Sequence, residues 1–319
     1  MELNIKDRKI LFELEQDSRQ SFSKIAKKLR TSKEVVNYRI KNLVKEEIVT
    51  RFFTEINLAK IGMQIYKVYF QFQNVGHKKE EEMYNFFINE MKIPWIVSCS
   101  GGYDMILSFG AKDINQFDDC ITKIMNKFSE FILNRDISTT LFFNTFDRRW
   151  LAASSKIRFT TVGGDIKNIQ IDKTDIKILS ELSNNSRVQV IDIAKSAGIT
   201  SSAVINRINL LEKKEIINRY RIGIGYRKLG KEFCKAFVYT INKTSQEEKR
   251  MIEYVSNIPQ IFTIIKCIGS WDIEFEFIVD NFPQFHEIMR EIKNRFGILR
   301  GYESVIISKE YGINYFNFI

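Results

Sequence analysis

The sequence predicts an α+β fold of two tandem repeats. Each repeat is a winged helix-turn-helix followed by a ferredoxin-like β-α-β-β-α-β domain. Three observations predict this: an internal match at an offset of 168 residues, a change of apolar period inside each copy, and a basic excess confined to the first part of each copy.

The repeat comes first because it fixes the organisation. Asp7–Arg19 matches Asp175–Arg187, and the match runs ungapped through Ile25-Ala26-Lys27 and Arg39-Ile40 to Arg51. Between Asp7 and Arg51, 19 of 45 positions are identical to those 168 residues later. The match returns at Gly101-Gly102-Tyr103-Asp104 against Gly269-Ser270-Trp271-Asp272, with Cys99 on Cys267. A small compensated gap separates the two stretches. The expected parts are helical modules over 1–60 and 171–231, ferredoxin-like domains over 61–150 and 232–319, and a linker over 151–170. That linker holds Ala152-Ala-Ser-Ser155 and Thr160-Thr-Val-Gly-Gly164.

Within the first copy, Ile10, Leu11 and Leu14, then Phe22, Ile25, Ala26 and Leu29, then Val36, Ile40 and Leu43 recur at spacings of three or four. That is the period of amphipathic helices. Asn4, Ser21, Asp172 and Asp192 fit helix N-caps. Ile48–Ile56 reads as a strand pair, the wing. Alternation then takes over in Tyr66–Phe72, a strand pattern. A helix over Glu80–Met91, strands over Trp95–Cys99 and Met105–Phe109, a helix over Phe117–Phe131 and a strand over Ile137–Phe143 complete the β-α-β-β-α-β order.

Composition limits the function classes. Of 319 residues, 44% are hydrophobic and 28% charged, as in globular proteins. No apolar run reaches the ~18 residues a membrane helix needs. The N-terminus lacks the apolar core of a signal peptide, so a cytoplasmic location is expected. Cys99, Cys120, Cys234 and Cys267 form no C-x-x-C pair, and the two histidines are His77 and His286. No metal site, cofactor or catalytic residue is expected from that set. Cys99 and Cys267 fit buried apolar positions better than redox sensors.

The formal net charge is +10. Residues 1–60 hold 14 Lys+Arg against 9 Asp+Glu, and residues 172–231 hold 12 against 6. The rest of the chain is close to neutral. A basic helical module beside a neutral α/β module is the charge footprint of nucleic-acid binding joined to sensing.

Ser21–Leu29, a short turn, then Ser32–Glu46 outlines a helix-turn-helix, whose second helix enters the major groove. With Val36, Ile40 and Leu43 inward, the outer face carries Lys33, Glu34, Asn37, Tyr38 and Lys41. The second copy presents Ser201, Ser202, Ile205, Asn206 and Asn209. Asn pairs with adenine, and small or apolar side chains touch the thymine methyl. Arg39 and Arg207 occupy equivalent positions. They are assigned to phosphate, the other reading being an ion pair inside the module. The two outer faces differ, so the copies read different half-sites, or the second has weakened.

These residues resemble the Lrp/AsnC (feast/famine) family of transcription regulators. Leu3-x3-Asp7-x2-Ile10-Leu11-x2-Leu14, Ser18-Arg19-x5-Ile25-Ala26, Ser32-x3-Val36-x2-Arg39-Ile40-x2-Leu43 and Ile48-x13-Gly62 carry the resemblance. Ile171-Asp172-x2-Asp175, Arg187, Ile193-Ala194, Arg207-Ile208, Leu211-Glu212, Ile216-Ile217 and Leu229-Gly230 repeat it. It covers nearly the whole chain, although members usually carry one unit. The resemblance implies binding to double-stranded DNA and a RAM-type sensing domain. It also implies an amino acid or similar small effector near a Gly-x-x-Asp loop, here Gly101, Gly102, Tyr103, Asp104 and Gly269, Ser270, Trp271, Asp272. A Gly-bearing turn exposes N–H groups that hold a carboxylate, and an Asp accepts from ammonium. The structural alternative is a tight turn whose Asp binds local backbone donors. Family members pair through sensing domains, sheet face to sheet face, so two copies in one chain are expected to form an intrachain pseudo-dimer. Further homo-oligomers are compatible with it. Haem-pathway decarboxylases share this architecture, and they would need His and basic residues around a tetrapyrrole. His77 and His286 occupy no equivalent positions, which disfavours that reading. A ligand-binding or assembly protein without specific DNA binding is the third.

Overall fold

The computed structural model describes residues 3–151, 157–241, 244–313 and 316. The first three helices are α1 (Ile5–Gln16), α2 (Phe22–Leu29) and α3 (Lys33–Lys45). Each start is fixed by a polar cap: Asn4, Ser21 and Ser32 accept from the amides of Asp7, Lys24 and Val35. Strand β1 (Val49–Ile56) follows. The ferredoxin-like part contains β2 (Gln64–Phe72), α4 (His77–Asn85), β3 (Trp95–Gly101), β4 (Met105–Ala111), α5 (Ile114–Phe128) and β5 (Ile132–Phe146). After a short strand β6 (Phe159–Gly163), the pattern repeats. It runs α6 (Lys173–Asn184), α7 (Val190–Ala197), α8 (Ser201–Lys213), β7 (Ile217–Ile224), β8 (Glu232–Thr240), α9 (Ser245–Ser256), β9 (Ile261–Gly269), β10 (Ile273–Val279), α10 (Phe282–Arg295) and β11 (Leu299–Ile313).

The wing differs from expectation. β1 is one strand, and it pairs antiparallel with β7 of the other copy, Thr54 opposite Tyr220. Ile48–Ile56 has no Gly, Asn or Asp to turn a hairpin, so its ladder bonds must be found elsewhere. The resulting two-stranded ribbon joins the helical modules. α1 packs on β7 and α6 on β1, each helix on the strand of the other copy.

The sensing sheets are also joined. Each has the ferredoxin order, β5-β2-β4-β3 and β11-β8-β10-β9. β11 continues past β8 to pair with β3, and β5 continues past β2 to pair with β9. Eight strands thus close into an antiparallel barrel with no free edge, which removes the edge-pairing hazard. The two sheets meet across the barrel interior, where Lys67 of one bonds to Glu274 of the other, and hydrogen-bonded seams join their edges. The long seam strands explain why β5 extends beyond the expected Ile137–Phe143. Helices α4, α5, α9 and α10 cover the outside of the barrel, giving two apolar cores around Phe70 and Phe275.

Three smaller expectations change. The described part of the expected linker contains β6, which pairs with β5 and so belongs to the sheet. Ala152–Ser155 lies outside the described residues. The cap of α7 is Gln189, whose side chain makes no cap bond, and Asp192 sits in the first turn, where its charge suits the helix N-terminus. The expected helix over Glu80–Met91 is α4 ending at Asn85, followed by one wide π-type turn.

Candidate nucleic-acid interface

α3 and α8 are the second helices of their helix-turn-helix units. Val36, Ile40 and Leu43 on α3 and Val204, Ile208 and Leu211 on α8 are buried. This fixes which faces look outward. Lys33, Glu34, Tyr38 and Lys41 are exposed, with Asn37 at intermediate exposure. On α8, Ser201, Ser202, Ile205, Asn206 and Asn209 are exposed. Tyr38 is 67% exposed, a large cost for an aromatic ring that serves only the fold.

Arg39 and Arg207 correct the phosphate assignment. Arg39 donates to Asp7 at 2.9 Å and Arg207 to Asp172 and Asp175 at 2.8 Å. Each ties its reading helix to the start of the first helix in its own module. The intramodule ion pair is the reading the geometry supports, and it is written in the repeat, since Asp7 and Asp175 recur together with the arginines.

A pseudo-twofold clasp holds the two modules to one another. Ser18 Oγ lies 2.5 Å from Ser186 Oγ, its own repeat partner, so the axis passes between them. Arg19 donates to the Ser186 and Val188 carbonyls, and Arg187 donates to those of Ser18 and Gln20. The Ser18 amide donates to Tyr220 O and the Ser186 amide to Phe52 O. The Arg187 guanidinium also stacks 4.4 Å from the Phe22 ring centroid. Exchange of equivalent bonds by equivalent residues is the signature of an isologous interface. The clasp thus joins the two modules that carry the reading helices.

The winged helix-turn-helix DNA-binding family matches the chain twice, over residues 3–50 and 171–218. An uncharacterised HTH-type transcriptional regulator of Pyrococcus horikoshii is 27% identical over 128 residues, 39% of this chain and 85% of the relative. The regulatory protein AsnC of Haemophilus influenzae is 23% identical over 119 residues, 37% of this chain and 79% of its own length. The chain thus carries two winged helix-turn-helix segments and is similar, copy by copy, to Lrp/AsnC regulators. Among solved structures, the siroheme decarboxylase NirDL covers 98% of this chain and 94% of its own at a TM-score of 0.63 and 12% identity. That likeness shows a shared two-unit fold.

In both copies the Gly-x-x-Asp loops are built into the barrel seams. A Cβ on Gly101 would lie 2.6 Å from the Ser304 carbonyl oxygen, and one on Gly269 would overlap that of Ile137. Both residues have positive φ, 130° and 151°, which favours glycine. Asp104 accepts from the Phe72 amide at 2.7 Å, and Asp272 from the Thr240 amide and hydroxyl at 2.8 and 2.7 Å. Gly102 O accepts from Gln71. Ser270 and the Tyr103 hydroxyl both donate to Asp136. The carboxylates of Asp104 and Asp272 are thus engaged with neighbouring strands, the arrangement of the tight-turn alternative. Tyr103 and Trp271 point into the barrel, where they pack with the repeat-equivalent pair Tyr69 and Phe237.

Sequence reasoning missed the charges inside that barrel. Lys67 and Lys235 are repeat partners, and both donate to Glu274 Oε2, at 2.8 and 2.6 Å. Lys235 also pairs with Glu276 at 2.8 Å. Glu274 Oε1 accepts from Tyr69 and Trp271. The acids are on the second copy alone, since Ile106 and Ser108 stand at the equivalent positions of the first. Burial would raise the Glu274 carboxyl, and Lys235 and Lys67 overcome this and hold it well below the usual carboxylate range. Burial pushes the Cys99 thiol up to about 12, so it is not a nucleophile at neutral pH. The readable signal was a lysine at the inward parity of an otherwise apolar strand, present in both copies.

No helix among the described residues is long and apolar enough to cross a membrane. Those residues contain no cluster of metal-ligating side chains either.

Proposed function

We propose that the chain is a sequence-specific regulator of transcription that reads double-stranded DNA with two unlike heads at a fixed spacing. The observation that carries this is the clasp: two exposed reading helices held by reciprocal bonds through Ser18, Arg19, Ser186 and Arg187. The P. horikoshii and H. influenzae relatives, by name regulators, support the reading. Lys33, Asn37, Tyr38 and Lys41 contact DNA from the first head, and Ser201, Ser202, Asn206 and Asn209 from the second. Lysines supply the phosphate term, and Asn and Ser supply base-edge contacts. The loops at 101–104 and 269–272 close the barrel rather than hold an effector. Binding to duplex DNA across a salt titration tests the reading. Lys33→Ala/Asn37→Ala/Lys41→Ala should lose affinity and flatten the salt dependence. Equal binding by this variant and the parent would refute it.

The whole-chain likeness to NirDL favours a second reading, a tetrapyrrole enzyme. His77 is 82% exposed by its side chain, at the start of α4, and His286 bonds to Tyr302 on the outer surface. Neither histidine lines the cavity between the β1–β7 ribbon and the barrel. We therefore read the chain as a regulator without enzymatic activity. Absence of stabilisation by iron-uroporphyrin is the expected result.

A further inference from the structure

A cavity of about 140 Å³ lies between the β1–β7 ribbon and the open end of the barrel. Its wall includes the aromatic side chains Phe53, Trp95, Phe143 and Phe262, and the carboxylates Glu55, Glu276 and Glu310, which are bonded to Arg221, Lys235 and Trp95. Arg51 and Arg221 line it from the ribbon. A volume of this order admits one benzene-sized ring.

Arg51 is the residue that departs from the repeat. Its partner in the second copy, Arg219, forms an ion pair with Asp147 at 2.6 Å. Asp147 follows β5, and the corresponding stretch after β11, residues 314–319, contains no acid. Among the described residues Arg51 has no ion pair, and its Nε is buried without a hydrogen-bond partner. Its guanidinium instead lies 4.8 Å from the Phe53 ring centroid. The Nε of Arg221, a residue only 1% exposed, is likewise buried and unpartnered. Gly223, opposite Arg51 in the ribbon, makes the placement possible: a Cβ there would lie 2.7 Å from Arg51 Cγ. A buried guanidinium donor left unbonded is costly, and a carboxylate is the partner its geometry fits.

We infer that this cavity is a binding site for a small monocarboxylic acid with an apolar, ring-sized body. The carboxylate takes from Arg51 the place that Asp147 takes from Arg219. The body fills the aromatic wall. The site is separate from the Gly-x-x-Asp loops and does not depend on the DNA reading.

Benzoate is the probe, with benzyl alcohol as its uncharged isostere, followed by calorimetry and thermal unfolding of the full chain. Benzoate should bind and raise the unfolding temperature with concentration, and benzyl alcohol should bind at least about tenfold more weakly. Arg51→Met should weaken benzoate by a similar factor. Ile265→Phe, which fills the cavity from its wall, should abolish binding while keeping the fold, and so decides the matter if Arg51→Met does not fold. No benzoate binding up to tens of millimolar, or binding that survives Ile265→Phe unchanged, would overturn the assignment.

Discussion

Replacing Glu274 by Gln should destabilise the protein severely. Glu274 is the acid shared by Lys67 and Lys235, with no exposed surface, in the barrel interior. The native cluster of Lys67, Lys235, Glu274 and Glu276 is neutral. Glu274→Gln leaves two buried ammonium groups facing one carboxylate, and removing one partner of a buried pair costs roughly 3–5 kcal/mol. Lys67→Met keeps the volume and leaves Glu274 bound by Lys235, so it should cost less. The double variant restores neutrality with the Lys235–Glu276 pair, 2.8 Å apart, intact. It should therefore be more stable than the sum of the single losses by at least ~1 kcal/mol. Urea unfolding monitored by midpoint at constant slope measures all four corners. The pH dependence has a defined sign. The folded-state value of Glu274 is depressed below 4.5, so its contribution is complete above about pH 4.5 and is lost as pH falls through the lower folded value. The gap between wild type and Glu274→Gln should be the same at pH 7 and pH 5, and close only at stronger acid. A Glu274→Gln cost under ~1 kcal/mol, or strict additivity in the double variant, would refute the buried-network account.

Four further predictions concern the heads and seams. Arg39→Ala should cost up to ~1 kcal/mol of stability with an unchanged salt slope of DNA binding. Lys33→Ala should leave stability intact and reduce that slope by about one. Gly269→Ala should cost more than ~2 kcal/mol because its Cβ meets the Ile137 carbonyl, whereas Gly102→Ala, whose Cβ has only an ordinary contact with Glu303 at 3.6 Å, should stay within ~0.5 kcal/mol by the same unfolding assay. Arg19→Ala/Arg187→Ala opens the clasp. It should weaken binding to a duplex carrying both half-sites far more than binding to one half-site, as read by gel shift.

Local signals gave the elements and long-range pairing gave the surprises. Asn4, Ser21 and Asp172 were legible as caps because a cap is set within four residues. The reading faces were legible because Val36, Ile40 and Leu43 fix the helix rotation. The ribbon was not, because Val49–Ile56 carries no information about which strand 168 residues away completes it. Phe159–Gly163 looked like boundary composition because Thr-Thr-Val-Gly is equally a short edge strand. The loop aspartates could be placed on a Gly turn, but whether Asp104 faces a ligand or the Phe72 amide depends on a neighbouring strand. Lys67 and Lys235 recur in the repeat, but their acids Glu274 and Glu276 come from one copy alone, so the repeat pattern does not pair them.

Selection from a pool of randomised duplexes, run on the full chain at two salt concentrations, tests the central claim most directly. Two fixed heads with unlike faces should enrich a bipartite motif of two different half-sites at one constant spacing, with affinity falling steeply as salt rises. Enrichment of no motif, or of half-sites at variable spacing, would contradict it.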